Sequence, residues 1–160
     1  MSEAQNHQAL TQESDKKLYG GFWIRVGAAL IDMLVLLIPM LLLSYLLLVL
    51  IAPTTHEEEL FYQGIDSVLA FAIWLVYTAG FHSSTWQATL GKRALGLKVT
   101  SLEGNRISFG HAAGRYVAEI LNVLTLGIGY IMVGLTSRKQ GLHDMVAGTY
   151  VVRTEDRGPF

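Results

Sequence analysis

Residues 22–52 read FWIRVGAALIDMLVLLIPMLLLSYLLLVLIA, and this stretch decides the fold. From Val26 to Ala52 it contains 27 residues and a single charged one, Asp32. A membrane-spanning helix needs about 20 predominantly apolar residues, so the run is long enough to cross a bilayer with some tilt. The apolar part is too long for the core of a signal peptide, and no Ala-x-Ala cleavage site follows it. We therefore predict a transmembrane helix.

Two charged residues belong to this predicted helix, Arg25 at its entrance and Asp32 seven residues further in. Seven residues are about two turns, so both side chains project from nearly the same face, about 10 Å apart along the axis. An aspartate inside hydrocarbon costs about 2.5 kcal/mol or more, so Asp32 should face protein or water and have a partner. It is a candidate proton or cation site. The alternative is a structural ion pair with Arg25 or Arg115.

The composition is typical of a membrane protein of one domain. The chain has 160 residues, of which 51% are hydrophobic and only 16% are charged. A net charge of −1 argues against a nucleic-acid partner. The absence of cysteine excludes thiolate metal sites, and the five histidines show no metal-binding spacing. Because no hydrolase or phosphate-binding motif is present either, we expect no enzyme activity, no metal and no cofactor.

A second span is predicted from Ser67 to Leu90, a run without Asp, Glu, Lys or Arg. A short acidic loop, residues 54–66, connects it to the first span. The polar residues 1–17 are predicted to form a disordered cytoplasmic tail, and residues 154–160 a C-terminal tail. The membrane domain is therefore residues 18–153.

A small β-sheet is predicted outside the bilayer. Leu97–Thr100 alternates apolar and polar residues, and Arg106–Ser108 could return as a second strand after the turn signal Glu103–Asn105. Two strands alone are marginal in water. The strand-like run Thr149–Arg153 could add a third strand to the same sheet.

The apolar stretch between these strands, Ile120–Ser137, is interrupted by glycines at Gly127–Gly129. A single crossing would separate the strands, and each arm alone is short for a full crossing. We predict a re-entrant pair that enters and leaves on the cytoplasmic side, with a third transmembrane crossing as the alternative. The predicted fold is thus all-α in the membrane: two transmembrane helices, this helical region and a small cytoplasmic β-sheet.

The distribution of basic residues predicts the orientation. Segment 91–115 is rich in Lys and Arg, whereas loop 54–66 has none. The positive-inside rule then places the N-terminus and segment 91–115 in the cytoplasm, and the acidic loop outside. Lys92 and Arg93 are candidates for contact with anionic lipid headgroups, although they could equally be plain topology charges.

Four stretches of the chain, in order, resemble the RDD family of small bacterial membrane proteins. They are Phe22–Arg25 with Asp32; Thr89–Arg93 with Gly96–Val99; Gly110–Tyr116 with Arg115; and Arg138–Asp144 with Ala147–Thr149. The family is named for one arginine and two aspartates, which by position match Arg25, Asp32 and Asp144. The resemblance implies a multi-pass domain in the bacterial cytoplasmic (inner) membrane. It also implies cation–proton exchange, which has been proposed for some members.

Four residues are predicted to form a polar cluster with an ion- or proton-coupling role or a structural one: Arg25, Asp32, Arg115 and Asp144. Their charges can balance, which lowers the cost of burying each. Asp144 could also cap a helix, or bind Arg93 or Arg115.

Two functions remain open at this point. One is transport of a monovalent cation, a proton or a small solute by way of Asp32. The other is a non-transporting module that binds lipid or a partner membrane protein. Two spans and a re-entrant pair cannot easily enclose a pathway, so transport implies a homo-oligomer or a partner.

Overall fold

A computed structural model describes residues 18–154. The predicted N-terminal tail, and the predicted C-terminal tail beyond Thr154, lie outside the described residues. The helices and strands, in chain order, are α1 Phe22–Ile51, α2 His56–Ser83, α3 Leu90–Ala94, β1 Leu97–Ser101, α4 Phe109–Val117, α5 Ile120–Leu124, α6 Ile128–Leu135, α7 Leu142–Val146 and β2 Thr149–Arg153. The chain is therefore mostly helical with a small sheet, as predicted.

Helices α1 and α2 are both long and apolar enough to cross a membrane. Helix α1 has 30 residues, and its C-cap Ala52 adopts a left-handed φ of 44° and donates its amide to the Leu48 carbonyl. Most of the side chains on α1 are apolar and exposed, which suits an element surrounded by lipid. The prediction of two transmembrane helices is confirmed.

The start of α2 differs from the prediction. The acidic residues assigned to a loop belong to a helix that begins at His56, because a capping box stabilises its first turn. The Glu58 amide donates to the Thr55 hydroxyl, and the Glu58 carboxylate accepts from the Thr55 amide at 3.1 Å. Negative side chains at this position also interact favourably with the helix dipole. The acidic cluster is therefore a helix start.

The sheet consists of β1 and β2, which pair antiparallel with Val99 opposite Val151. The predicted pairing of 97–100 with 149–153 is thus confirmed. The predicted return strand Arg106–Ser108 is wrong. Ser108 instead caps α4, where its hydroxyl accepts from the His111 amide at 3.2 Å, so the chain turns directly into the helix.

The apolar stretch after β1 folds into a bent pair of helical segments. Phe109–Leu124 and Ile128–Leu135 meet at an angle of 103°, at a break where Gly127 has a φ of +84°. The strands before and after this pair lie side by side in one sheet. This arrangement favours the predicted re-entrant pair over the alternative, a third transmembrane crossing. A single crossing would place the two strands on opposite sides of the membrane.

A small apolar core lies where the long helices meet the sheet. Its buried residues are Ala28, Ala79, Leu97, Val99, Ile107, Ala112 and Val151. Alanines on three helices allow close approach of their backbones. The buried polar residues gather at this same end of the molecule, and so this end holds the candidate site.

Candidate functional site

Asp32 is held in a pocket of hydrogen-bond donors and is only 3% exposed. Its Oδ1 accepts from the Tyr77 hydroxyl at 2.6 Å and from the Gly91 amide at 2.7 Å. Its Oδ2 accepts from the Thr89 hydroxyl at 2.6 Å. Three donors from α2 and the start of α3 thus stabilise this carboxylate inside the protein.

The ion pair of Asp32 with Arg25 or Arg115, one of the two roles predicted for this residue, is not formed. Among the described residues, no salt bridge includes Asp32. Both arginines, Arg25 and Arg115, are directed to Asp144 instead. The four predicted residues therefore form two clusters, one around each aspartate.

The Asp32 cluster depends on the start of α3. Thr89 is the N-cap of this helix, and Gly91 offers one of the amides that have no partner within the helix. Asp32 therefore caps α3 from a different helix, where the dipole favours a negative charge. Only a glycine fits here, because a Cβ on Gly91 would lie 2.9 Å from the Asp32 Cγ and would overlap the Ala28 carbonyl.

Asp144 forms the second cluster and is fully buried. Its Oδ1 accepts from Arg115 through Nε at 3.0 Å and Nη2 at 2.6 Å, and its Oδ2 accepts from Arg25 Nη1 at 2.5 Å. The Gly141 amide donates to the same Oδ2 at 3.2 Å, so Asp144 caps α7 as well. Burial alone would raise the pKa of Asp144, but Arg115 and Arg25 outweigh it and hold this pKa well below its ordinary value.

Arg25 uses all three of its guanidinium nitrogens to join separate parts of the chain. In addition to Asp144, Nε donates to the Gly20 carbonyl at 2.8 Å and Nη2 donates to the Lys139 carbonyl. The side chain therefore ties the entrance of α1 to the segment around α7. This is a structural role.

His143 completes the Asp144 cluster. Its Nδ1 lies 2.8 Å from the Asn122 side-chain amide, and its Nε2 lies 3.3 Å from Asp144 Oδ1. Burial, and then the nearby Arg115, lower the pKa of His143 to about 3. The imidazole is therefore neutral at physiological pH, and a proton on Nε2 would let it donate toward Asp144 while Nδ1 accepts from Asn122.

Both clusters adjoin one cavity of about 460 Å³ between α1, α2 and the bent pair. Its charged lining residues are Arg25, Asp32, Lys92, Arg115 and Glu119. Asp144 is not a lining residue, but it binds both Arg25 and Arg115, which are. The cavity therefore brings together three of the four predicted site residues, together with Lys92 and Glu119.

Lys92 and Arg93, predicted together as headgroup contacts, lie in different surroundings. Lys92 is half-buried and lines the cavity, and burial lowers its pKa to about 8. Arg93 is exposed, with its guanidinium 3.8 Å from the centre of the Trp86 ring. Contact of either residue with lipid stays a prediction.

Sequence reasoning missed several polar residues in or near the two clusters: the half-buried Tyr77 and the buried Thr89, Asn122 and His82. His82 is fully buried, and neither ring nitrogen has a hydrogen-bond partner among residues 18–154. Tyr77, His82 and Asn122 all lie within apolar runs. A polar side chain in an apolar run is the signal that could have identified them, since such groups usually face the protein interior.

The Asp32 cluster presents a carboxylate and two hydroxyls around one point. Oxygen ligands of this kind suit a proton or a hard cation. Within the described part of the chain, no group of three or more His, Cys, Asp or Glu residues could hold a metal ion. The chemistry this arrangement allows is therefore binding and release of a proton or a weakly held cation.

Comparisons with known proteins show what the chain is similar to. The sequence model of the RDD family matches residues 19–148. The chain is 35% identical to the uncharacterized protein YxaI of Bacillus subtilis strain 168 over 149 residues, which cover 82% of this chain and 95% of YxaI. It is 37% identical to YteJ of the same organism, described as an uncharacterized membrane protein, over 84% of this chain and 80% of YteJ. No solved structure matches.

Proposed function

This chain belongs to the RDD family, and we propose that it is an inner-membrane exchanger in which Asp32 binds a proton and a monovalent cation alternately. The proposal rests on the burial and the hydrogen-bond partners of Asp32. It is a buried carboxylate within the first span that borders a cavity and, among the described residues, is held by hydroxyls and an amide without an arginine.

The surroundings of Asp32 support exchange because two of its three hydrogen-bond donors are hydroxyl groups, which can also accept a hydrogen bond. The hydroxyls of Tyr77 and Thr89 can donate to an ionised carboxylate, or rotate and accept when the carboxyl group is protonated. Asp144, by contrast, is held ionised by two arginines. Of the two buried aspartates, Asp32 is therefore the one that no arginine binds among the described residues, and the one to which we assign exchange.

Exchange also requires that the cavity be closed toward the lipid. Leu30 and Met33 line the cavity, yet 52% and 51% of their surfaces are exposed. We propose that a second copy of the chain or a partner membrane protein covers this side. Light scattering of the purified protein in detergent distinguishes the two: a stable oligomer supports the second copy, and a monodisperse monomer in several detergents would contradict it and leave the partner membrane protein.

The test of exchange is ion flux in proteoliposomes that carry an imposed pH gradient. Li⁺, Na⁺ or K⁺ added outside should dissipate the gradient with the wild-type protein and should not do so with Asp32→Asn. The matched control is Glu103→Gln, which removes one carboxylate from an exposed turn and should behave like the wild type.

Two results would overturn the proposal. One is wild-type flux no greater than that of empty liposomes for all three cations. The other is an unchanged flux in Asp32→Asn. Both variants should elute as folded protein in gel filtration, so that a loss of flux reports the carboxylate and not a loss of fold.

A further inference from the structure

The cavity contains a buried donor that the protein itself does not satisfy. Arg115 is 2% exposed, and its Nε and Nη2 donate to Asp144. Its Nη1 is buried and has no hydrogen-bond partner among residues 18–154; the nearest carboxylate oxygen, on Glu119, is 3.8 Å away. A buried donor of a charged group that lacks an acceptor is costly, so an acceptor in the cavity would stabilise it.

Lys92 is a second cation on the wall of the same cavity. No salt bridge within the described residues includes Lys92. The third cation, Arg25, has a partner at each of its nitrogens. The donors available to a ligand are therefore the Lys92 ammonium and Arg115 Nη1. Charged donors of this kind bind phosphate oxygens well.

The part of the cavity wall that α1 forms beyond Arg25 is largely apolar. Phe22, Val26 and Leu30 line it on α1. A neighbouring groove of about 310 Å³ between α1 and α2 shares Met33 and Trp74 with the cavity. The groove continues past Leu37, Leu41 and Ile73. The groove is therefore mostly apolar, with Ser44 and Asp66 as its polar lining residues, and it adjoins the charged cavity at Met33 and Trp74.

We propose that this cavity binds a membrane amphiphile with an anionic phosphodiester headgroup, whose phosphate contacts Lys92 and Arg115 and whose acyl chain lies in the groove between α1 and α2. Glu119 and Asp32 face the same cavity, so a singly charged phosphodiester fits better than a doubly charged phosphomonoester, which they would repel more strongly. This proposal does not depend on ion exchange.

Trp74 offers a direct readout because it lines both the cavity and the groove. The chain has three tryptophans, so a Trp23→Phe, Trp86→Phe background leaves Trp74 as the single fluorophore. The protein is reconstituted in phosphatidylcholine vesicles with a fraction of phosphatidylglycerol that carries bromine on one acyl chain, a quencher of tryptophan fluorescence. Brominated phosphatidylcholine at the same fraction measures the quenching by unselected lipid.

We expect brominated phosphatidylglycerol to quench Trp74 at least about twofold more than brominated phosphatidylcholine. Lys92→Gln should abolish this excess quenching by brominated phosphatidylglycerol, and Lys92→Arg should retain the excess. The matched control Arg106→Gln removes one positive charge from an exposed loop and should leave the excess unchanged.

Equal quenching by the two brominated lipids in the wild type would overturn the proposal, as would an undiminished excess in Lys92→Gln. Glycerophosphoglycerol, the phosphodiester headgroup without acyl chains, added to the vesicles distinguishes the sources of phosphate. Millimolar glycerophosphoglycerol that abolishes the excess would show a site for free phosphodiesters and would contradict the bound acyl chain. The readout contains no transport step, so failure of the ion-exchange proposal would leave it unaffected.

Discussion

The two buried aspartates differ in the charge of their partners. Asp144 accepts hydrogen bonds from Arg25 and Arg115, whereas Asp32 accepts them from the neutral groups of Tyr77, Thr89 and Gly91. A carboxylate between two guanidiniums remains ionised and holds the fold together. Asp32 has no such counter-ion among the described residues, which is why we assign it the role in the proposed exchange.

Removing the Asp144 carboxylate should destabilise the protein strongly. Asp144→Ala leaves Arg25 and Arg115 buried without a counter-ion, and we expect the free energy of unfolding to fall by about 3–5 kcal/mol. Unfolding of the purified protein in mixed micelles, followed by circular dichroism, measures the change. The control Glu103→Gln lies on the surface and should shift the value by less than about 0.5 kcal/mol. Similar losses in the two variants would contradict the structural role of Asp144.

The same carboxylate predicts a dependence of stability on pH. Because the arginines hold the folded-state pKa of Asp144 below its ordinary value, its stabilising contribution is present above the unfolded-state pKa of about 3.9. That contribution is lost as the pH falls below this value. The difference in unfolding free energy between the wild type and Asp144→Ala should therefore shrink from pH 6 to pH 3. A difference that stays constant or grows on acidification would contradict this.

At the scale of the elements, the short helices α3 and α7 depend on contacts with distant parts of the chain. Each has five residues, too few to be stable alone. Asp32 caps α3 from the first span, and Asp144 caps α7 while it binds arginines on two other helices. The position of each short helix is thus linked to one of the buried aspartates.

The close contact between α3 and α1 can be tested at Gly91. Gly91→Ala would place a Cβ against the Ala28 carbonyl and the Asp32 carboxylate, so α3 must move away. We expect a loss of about 1–3 kcal/mol in unfolding free energy, as for other overpacked sites. Gly110→Ala is the matched control, because no atom lies within 4 Å of the added Cβ. It should be neutral or slightly stabilising, and an equal loss in both variants would refute the contact.

Elements with a repeating sequence pattern could be predicted from the sequence. The apolar run of α1 and the alternation in β1 and β2 are visible without any tertiary information. The errors lie at element ends. Glu57–Glu59 indicated a loop by composition but belong to a capped helix start, and Ser108 continued a strand pattern but caps α4. Five-residue helices show no period, so α3 and α7 could not be predicted from pattern alone.

At the scale of the whole molecule, the orientation in the membrane is a prediction from the basic residues. The chain has no cysteine, so single cysteines can be introduced directly. His56→Cys should react with an impermeant thiol reagent in intact cells, whereas Ser101→Cys and Thr154→Cys should react only after permeabilisation. The last two positions flank the bent pair, one on each side. Labelling of Thr154→Cys from outside would contradict the re-entrant arrangement.

The members of the site could be predicted, but only some of their pairings. Arg25 and Asp32 were identified from the first apolar run, and the family resemblance added Asp144. The predicted helix cap and Arg115 pair of Asp144 are confirmed, whereas its pair with Arg25 was not predicted. Either arginine could have met either aspartate, because sequence spacing says nothing about contacts between residues far apart in the chain. The pairing depends on how the bent pair and α7 pack against α1, which only the three-dimensional structure provides. The sequence also could not show that Lys92 lines a cavity, because this too depends on how distant parts of the chain pack.

The ion pair between Arg25 and Asp144 sets an order of events during synthesis. The two residues are 119 positions apart, so both spanning helices emerge from the ribosome well before the arginine meets its counter-ion. The same delay applies to the sheet, because β2 is the last of the described elements to be made. A nascent chain arrested before residue 144 should therefore carry both spans in the bilayer, yet leave segment 91–115 open to protease. Quality-control proteases would act on the nascent chain during this interval, which ends once Asp144 and β2 have been made.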